Sequence, residues 1–88
     1  MDISFVILTW NSKEYIRRCL SSYIDLLESA KLCGEFWVVD NGSSDGTSKY
    51  IRKDIIPTIP QRHRINIIQL EKNMGTTISR NMALRQVN

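Results

Sequence analysis

The sequence predicts an α/β fold, a three-layer α/β/α arrangement with the order βαβαβα around a short parallel sheet. Two observations carry that reading. The apolar runs Ile3–Leu8, Phe36–Val39 and Ile65–Leu70 are nearly continuous rather than alternating, the pattern of strands covered on both faces. Between and after them the apolar residues recur at helical spacing, so each strand is followed by a helix. Right-handed crossovers then make the strands parallel, in the order 3-2-1.

Each element follows in turn. ISFVIL, Ile3 to Leu8, is the first strand, and the polar TWNS ends it. Asn11, with Glu14 three residues on, has the spacing of a capping box that opens a helix. Ile16, Cys19, Leu20, Tyr23, Ile24 and Leu27 form one apolar stripe; Lys31 supplies a basic last turn and Gly34 a C-terminal glycine. After the second strand, Ser43 or Ser44 caps the second helix. Asp45 stands in its first turn, where the helix dipole favours negative charge, and Tyr50 and Ile51 face inward. Pro57 and Pro60 bound a basic loop, PTIPQRHR, read as solvated, with lone His63 not a metal site. EKNMG follows the third strand, and TTISRNMALRQV begins a third helix with Thr76 or Thr77 near its cap. Trp37 is expected between sheet and helices. The last helix meets no cap before Asn88, so residues 1–88 are expected to be one domain of a longer protein.

Composition narrows the function. With 88 residues, 42% hydrophobic and 24% charged, one core is possible, burying roughly 60–65% of the unfolded surface. A formal charge of +3 is too mild to imply nucleic acid. Cys19 and Cys33 are too far apart for a Cys-x-x-Cys pair, and Cys19 reads as a small core hydrophobe. A reducing cytoplasm is expected. The start has no basic n-region, and no stretch approaches the ~20 apolar residues of a membrane span.

The chemistry collects at the strand ends. In an open parallel sheet, ligands bind beyond the carboxyl ends of the strands. TWN, DNGSSDG and EKNMG all fall on that edge, beside helix N-termini whose free N–H groups favour phosphate. No Gly-x-Gly-x-x-Gly follows the first strand and no Gly-x-x-x-x-Gly-Lys-Ser/Thr occurs, which argues against a dinucleotide fingerprint and excludes a P-loop. DNGSSDG is not a calcium loop, because Arg52 stands where a bidentate Glu is required. Two readings of Asp40 stay open. It ends a strand to meet a ligand, or it is a turn and capping residue, with Gly42 and Gly46 required by the turn alone.

ISFVILTWNSKEYIRRCLSSY, FWVVDNGSSDGT and NMGTTISRNMAL, in this order, resemble the N-terminal part of the family 2 glycosyltransferases, of GT-A, Rossmann-like fold. The similarity spans nearly the whole chain, and VVDNGSSDGT is its strongest piece. The resemblance implies sugar transfer, with inversion, from a nucleotide diphosphate sugar to an acceptor, a hexosyl-type activity of polysaccharide biosynthesis. It places Thr9, Trp10 and Asn11 at the nucleoside pocket and sets Asp40 and Asn41 against the base and ribose. Asn73, Gly75 and Arg80 fall in the segment closing over the donor.

The sequence also departs from that family. Leu8 replaces the usual proline, Trp10 the usual tyrosine, and Asn41 a frequent second Asp. An amide both donates and accepts, so Asn41 still suits a pyrimidine edge. The family resemblance implies a UDP- or dTDP-sugar donor, and the Asp-Asn-Gly form, which resembles the rhamnosyltransferase-like subset, implies the dTDP-sugar of the two. The family's Asp-x-Asp, which binds Mn²⁺ or Mg²⁺, and its catalytic base have no counterpart here, so the isolated chain is expected to be inactive. The alternative is a nucleotide-binding or interaction module that never catalysed transfer. Further expectations are peripheral membrane contact in the full-length protein and self-association through the open Ile3–Leu8 edge.

Overall fold

The computed structural model describes residues 1–86; Val87, the end of the predicted third helix, and Asn88 lie outside them. Strands β1 (Ile3–Thr9), β2 (Gly34–Asp40) and β3 (Arg64–Gln69) alternate with helices α1 (Lys13–Ala30), α2 (Thr47–Tyr50) and α3 (Thr76–Leu84). The sheet is parallel, in the order β1-β2-β3, which is the predicted 3-2-1 order read from the other edge. One rung of the ladder holds Thr9, Asp40 and Gln69. The three loops therefore leave the sheet at a common rim.

Strand alternation distributes the apolar residues between two faces. Phe36, Val38 and Ile65 point to one side, where Ile16, Leu20, Ile24 and Leu27 of α1 and Ile51 and Ile55 after α2 complete the core. Phe5 stacks on Phe36 with centroids 4.9 Å apart, and Tyr23 covers Phe5 at 5.0 Å. On the other side α3 lies across β1 and β2, with Ser79 and Ala83 buried. Trp37 belongs to this second face, half-buried between the sheet and α3, beside Met82.

Several helix ends differ from expectation. Asn11 does not cap α1. Its left-handed backbone, φ 48°, turns the side chain toward the neighbouring loop. The first N–H of α1, on Lys13, is instead satisfied by Asp45 Oδ2 at 3.1 Å. Gly34 is not the C-terminal glycine either. α1 closes on Lys31 in left-handed conformation, φ 58°, with Leu32 N–H bonded to Leu27 O at 3.0 Å and Lys31 N–H to Glu28 O at 3.2 Å, a Schellman pattern. Gly34 opens β2, and a Cβ there would lie 2.3 Å from Leu27 Cδ1, so its smallness serves packing.

The second helix is shorter than its sequence implies. After one α turn it widens into a π turn, Ile51–Ile55, then tightens into a 3₁₀ turn at Ile56–Thr58. Pro57 has no N–H to continue the ladder. Asp45 lies ahead of this helix rather than inside its first turn. Its Oδ1 accepts from Thr47 N–H at 3.1 Å and from the Thr47 hydroxyl. Asp45 thus serves the N-terminal ends of two helices. The Thr47 hydroxyl first, then the Lys13 and Thr47 N–H groups, hold its carboxyl below the ordinary range.

The basic loop is not wholly solvated. His63 is buried, its Nδ1 accepting from Gly34 N–H at 3.1 Å. Arg62 Nε donates to Glu28 Oε2 at 2.9 Å and holds the Glu28 carboxyl below its usual range. This cluster sits at the opposite end of the sheet from the rim that carries Thr9 and Asp40. Cys19 and Cys33 are free and half-buried, and burial pushes the Cys19 thiol up.

Candidate functional site

At the common rim a cleft of about 270 Å³ opens between the first and third loops. β1 contributes Leu8, Thr9 and Trp10; β2 contributes Asn41; the loop into α3 contributes Asn73, Gly75 and Thr76. The strands are level there, so the loops converge although about thirty residues separate each from the next.

Interlocking hydrogen bonds fix the cleft. Asn41 Nδ2 donates to Asn73 Oδ1 at 3.1 Å, Asn41 Oδ1 accepts from Met74 N–H at 2.8 Å, and Asn73 Oδ1 also accepts from Gly75 N–H at 2.8 Å. Gly42, φ 77°, lies so close to the third loop that a Cβ would come 2.5 Å from the Lys72 carbonyl carbon. Only glycine tolerates both that backbone and that approach. Asn11 joins the first loop to the second, its Oδ1 accepting from Ser44 N–H and its own N–H donating to Ser43 Oγ, each at 2.8 Å.

The chemistry left for a ligand is specific. Thr9 is 4% exposed, and its hydroxyl is buried with no hydrogen-bond partner. Such an orphan is costly unless something arrives to pair with it. Trp10 is 56% exposed and offers an aromatic wall. Asn41 has two bonds to protein, which leaves one amide N–H and one lone pair for a planar heterocycle.

The sequence placed eight residues here, and the structure brings five of them to the cleft: Thr9, Trp10, Asn41, Asn73 and Gly75. The other three, Asp40, Asn11 and Arg80, do not line it. Asp40 is 1% exposed and turned inward, Oδ1 accepting from Ser43 N–H at 3.0 Å and Oδ2 from the Ser48 hydroxyl. Asn11 braces two loops, and Arg80 is exposed on α3. Sequence reasoning gave Thr76 a capping role and gave Ser48 none. The signal for Ser48 was a small hydroxyl just inside a helix that follows an acidic strand end. Among the described residues no three His, Cys, Asp or Glu side chains gather as a metal site. None of the described helices is long and apolar enough to cross a membrane.

Comparison with known proteins agrees with this geometry. Glycosyl transferase family 2 matches residues 4–88. The mannosyltransferase PcManGT from Pyrobaculum calidifontis, in complex with GDP-Man and Mn²⁺, superposes with a TM-score of 0.75 at 23% identity, over 99% of this chain and 24% of that one. S. aureus TarS, residues 1–349, gives a TM-score of 0.75 at 31% identity over 100% of this chain and 25% of that one, and a second TarS structure is in complex with UDP. The chain thus spans about a quarter of the solved structures it matches. No curated protein matches it in sequence. A parallel sheet whose three loops build one cleft, and a family match over nearly every residue, lead to one conclusion: this chain belongs to glycosyl transferase family 2.

Proposed function

We propose that this chain forms the nucleoside half of a donor site for a UDP- or dTDP-sugar, within a larger enzyme that transfers the sugar with inversion. The observation that carries the reading is the cleft at the strand ends, where Thr9, the exposed ring of Trp10 and the half-used Asn41 amide come together. An aromatic wall beside a half-used amide suits a base and its ribose. TarS, the more similar relative, has been solved with UDP.

In this reading Trp10 stacks on the base, Asn41 meets its hydrogen-bonding edge, and Thr9 pairs with a base or ribose oxygen. Asp40, Asn11 and Asn73 hold those groups in place. Arg80 reaches the donor only if the loop into α3 closes. Mn²⁺ or Mg²⁺ belongs to the full-length enzyme, on ligands outside these residues, because among the described residues no three His, Cys, Asp or Glu side chains gather to hold one. Acceptor binding and the catalytic base likewise fall outside this domain, which by itself is inactive. The enzyme works in the cytoplasm, with peripheral membrane contact in the full-length protein.

A second reading, a binding module that never catalysed transfer, draws on the absence of any acidic side chain from the lining of the cleft. Ligand-detected NMR with UDP, dTDP and ADP tests the first reading. Binding of the two pyrimidine nucleotides at millimolar concentration is expected. Replacing Thr9 by Val should weaken it about fivefold, the worth of one net hydrogen bond. Because the hydroxyl has no partner in the protein, T9V should leave thermal stability unchanged or raised, which separates a ligand role from a structural one. The two readings part once a longer protein carrying this domain is assayed: sugar transfer from the donor supports the enzyme, and nucleotide binding without transfer supports the module.

A further inference from the structure

Beside the rim, on the α1 and α2 side of the sheet, lies a second concavity of about 220 Å³ lined by Lys13, Gly46, Lys49, Tyr50, Lys53 and Asp54. Arg17 of α1 lies next to two of its lining residues. Its guanidinium lies 5.6 Å from the Tyr50 ring centroid and donates to Tyr50 Oη at 2.8 Å and to the Asp54 carbonyl at 2.7 Å. Both acceptors are neutral, so the charge of Arg17 stays uncompensated. Lys13 Nζ approaches the same ring at 5.8 Å.

Two cations thus flank Tyr50, and Lys49 and Lys53 share the lining with it. The carboxylates nearby are Asp54, in the lining, and Asp45, whose oxygens are bound to Lys13 N–H, Thr47 N–H and the Thr47 hydroxyl. Among the described residues the ion pairs involve Glu28 with Arg62 and His63, and none engages Lys13, Arg17, Lys49 or Lys53. Lys49 and Lys53 are one turn apart, a spacing at which like charges repel. Gathering three lysines around a concavity that holds one carboxylate, Asp54, and forms no ion pair with it costs stability that a bound anion returns.

We propose that this concavity is a second ligand site, which takes a phosphate-bearing group of about the size of a diphosphate. At about 220 Å³ the concavity has room for a small oxyanion. Lysines suit a phosphate because each acts as a mobile point charge with three donors. Arg17, pinned by Tyr50 and the Asp54 carbonyl, adds a fixed positive charge behind the Tyr50 wall. The cleft is built from different residues: Thr9, Asn41 and Gly75 belong to its lining, and Lys13, Lys49 and Lys53 to this one. The proposal therefore does not depend on the nucleotide reading.

The test is a two-dimensional ¹⁵N NMR titration of the whole chain with inorganic pyrophosphate. It is run at about 10 mM ionic strength, where the screening length is about 30 Å, and repeated at about 150 mM. Saturable shifts are expected at the Lys13, Gly46, Lys49 and Lys53 amides while Thr9, Asn41 and Gly75 stay still. The double variant K49A/K53A should weaken binding about tenfold at low salt, the loss of two exposed charge contacts. Higher salt should weaken wild-type binding similarly. Sedimentation with phosphatidylglycerol and phosphatidylcholine vesicles identifies the source of the phosphate. Co-sedimentation with phosphatidylglycerol alone, lost in K49A/K53A, assigns a lipid headgroup, and no co-sedimentation assigns a soluble phosphate. An absence of shifts, shifts confined to the cleft, or equal affinity in the double variant overturns the proposal.

Discussion

Asp40 and Asn41 are adjacent in sequence and opposite in task, because successive residues of a strand point to opposite faces. Asp40 follows Val38 and Phe36 toward the core face and accepts from Ser43 N–H and the Ser48 hydroxyl; Asn41 comes out at the cleft. The sequence marked both as ligand residues, although strand alternation already separated them. The alternative reading of Asp40, as a turn and capping residue, describes its contacts. D40A should therefore destabilise the fold by about 2 kcal/mol in urea unfolding, since it strands the buried Ser48 hydroxyl and the half-buried Ser43 N–H. If D40A instead unfolds like wild type, its buried carboxylate contributes nothing.

Asp45 gives a pH prediction. Its carboxyl is held below the ordinary carboxylate range by the Thr47 hydroxyl and the Lys13 and Thr47 N–H groups, so the ionised form is favoured in the folded protein. For a depressed carboxylate, the stabilisation is present above the unfolded value and is lost as pH falls through the folded one. D45N should flatten the acid limb of the stability curve below about pH 4 while keeping a side-chain oxygen for capping. D45A should cost about 1 kcal/mol at neutral pH, the worth of an N-cap. An unchanged acid limb in D45N would contradict this role. His63, by contrast, gave no signal in the sequence. Its burial depends on Gly34 N–H, 29 positions away, and no local pattern encodes so distant a partner.

At the scale of elements, the strands and α1 were legible because their cause is local. Continuous apolar runs and a helical stripe suffice, and Ile16, Leu20, Ile24 and Leu27 are buried as the spacing requires. Helix ends were less legible, because donors from other loops took over the capping. The two edge strands differ in a way that carries a consequence. β3 bears Arg64, Asn66 and Gln69, whereas β1, ISFVILT, carries no charge and no proline. An apolar, unguarded edge invites pairing. Size-exclusion chromatography across concentrations should show self-association, and S4K, which sets a gatekeeper charge beside Glu35, should abolish it. Elution unchanged by concentration in wild type would contradict this reading of β1.

For the whole molecule, the sheet register is the decisive feature. Thr9, Asp40 and Gln69 share a rung, so loops distant in sequence meet at one rim, and Gly42 lets the second and third lie against each other. The convergence of the loops was legible from the βαβ order. Which side chains line the cleft was legible only in part, since Asn11, Asp40 and Arg80 are taken out of it by turn and helix conformations that the sequence pattern does not encode. G42A should both destabilise the protein, by at least 1–2 kcal/mol for the left-handed backbone alone, and loosen the cleft. The most direct test of the account is an amide NMR titration with UDP. Thr9, Asn41 and Gly75 should shift together with one dissociation constant, while the region around His63 stays unmoved. Shifts gathered at His63 and Glu28, or none at millimolar UDP, would contradict it.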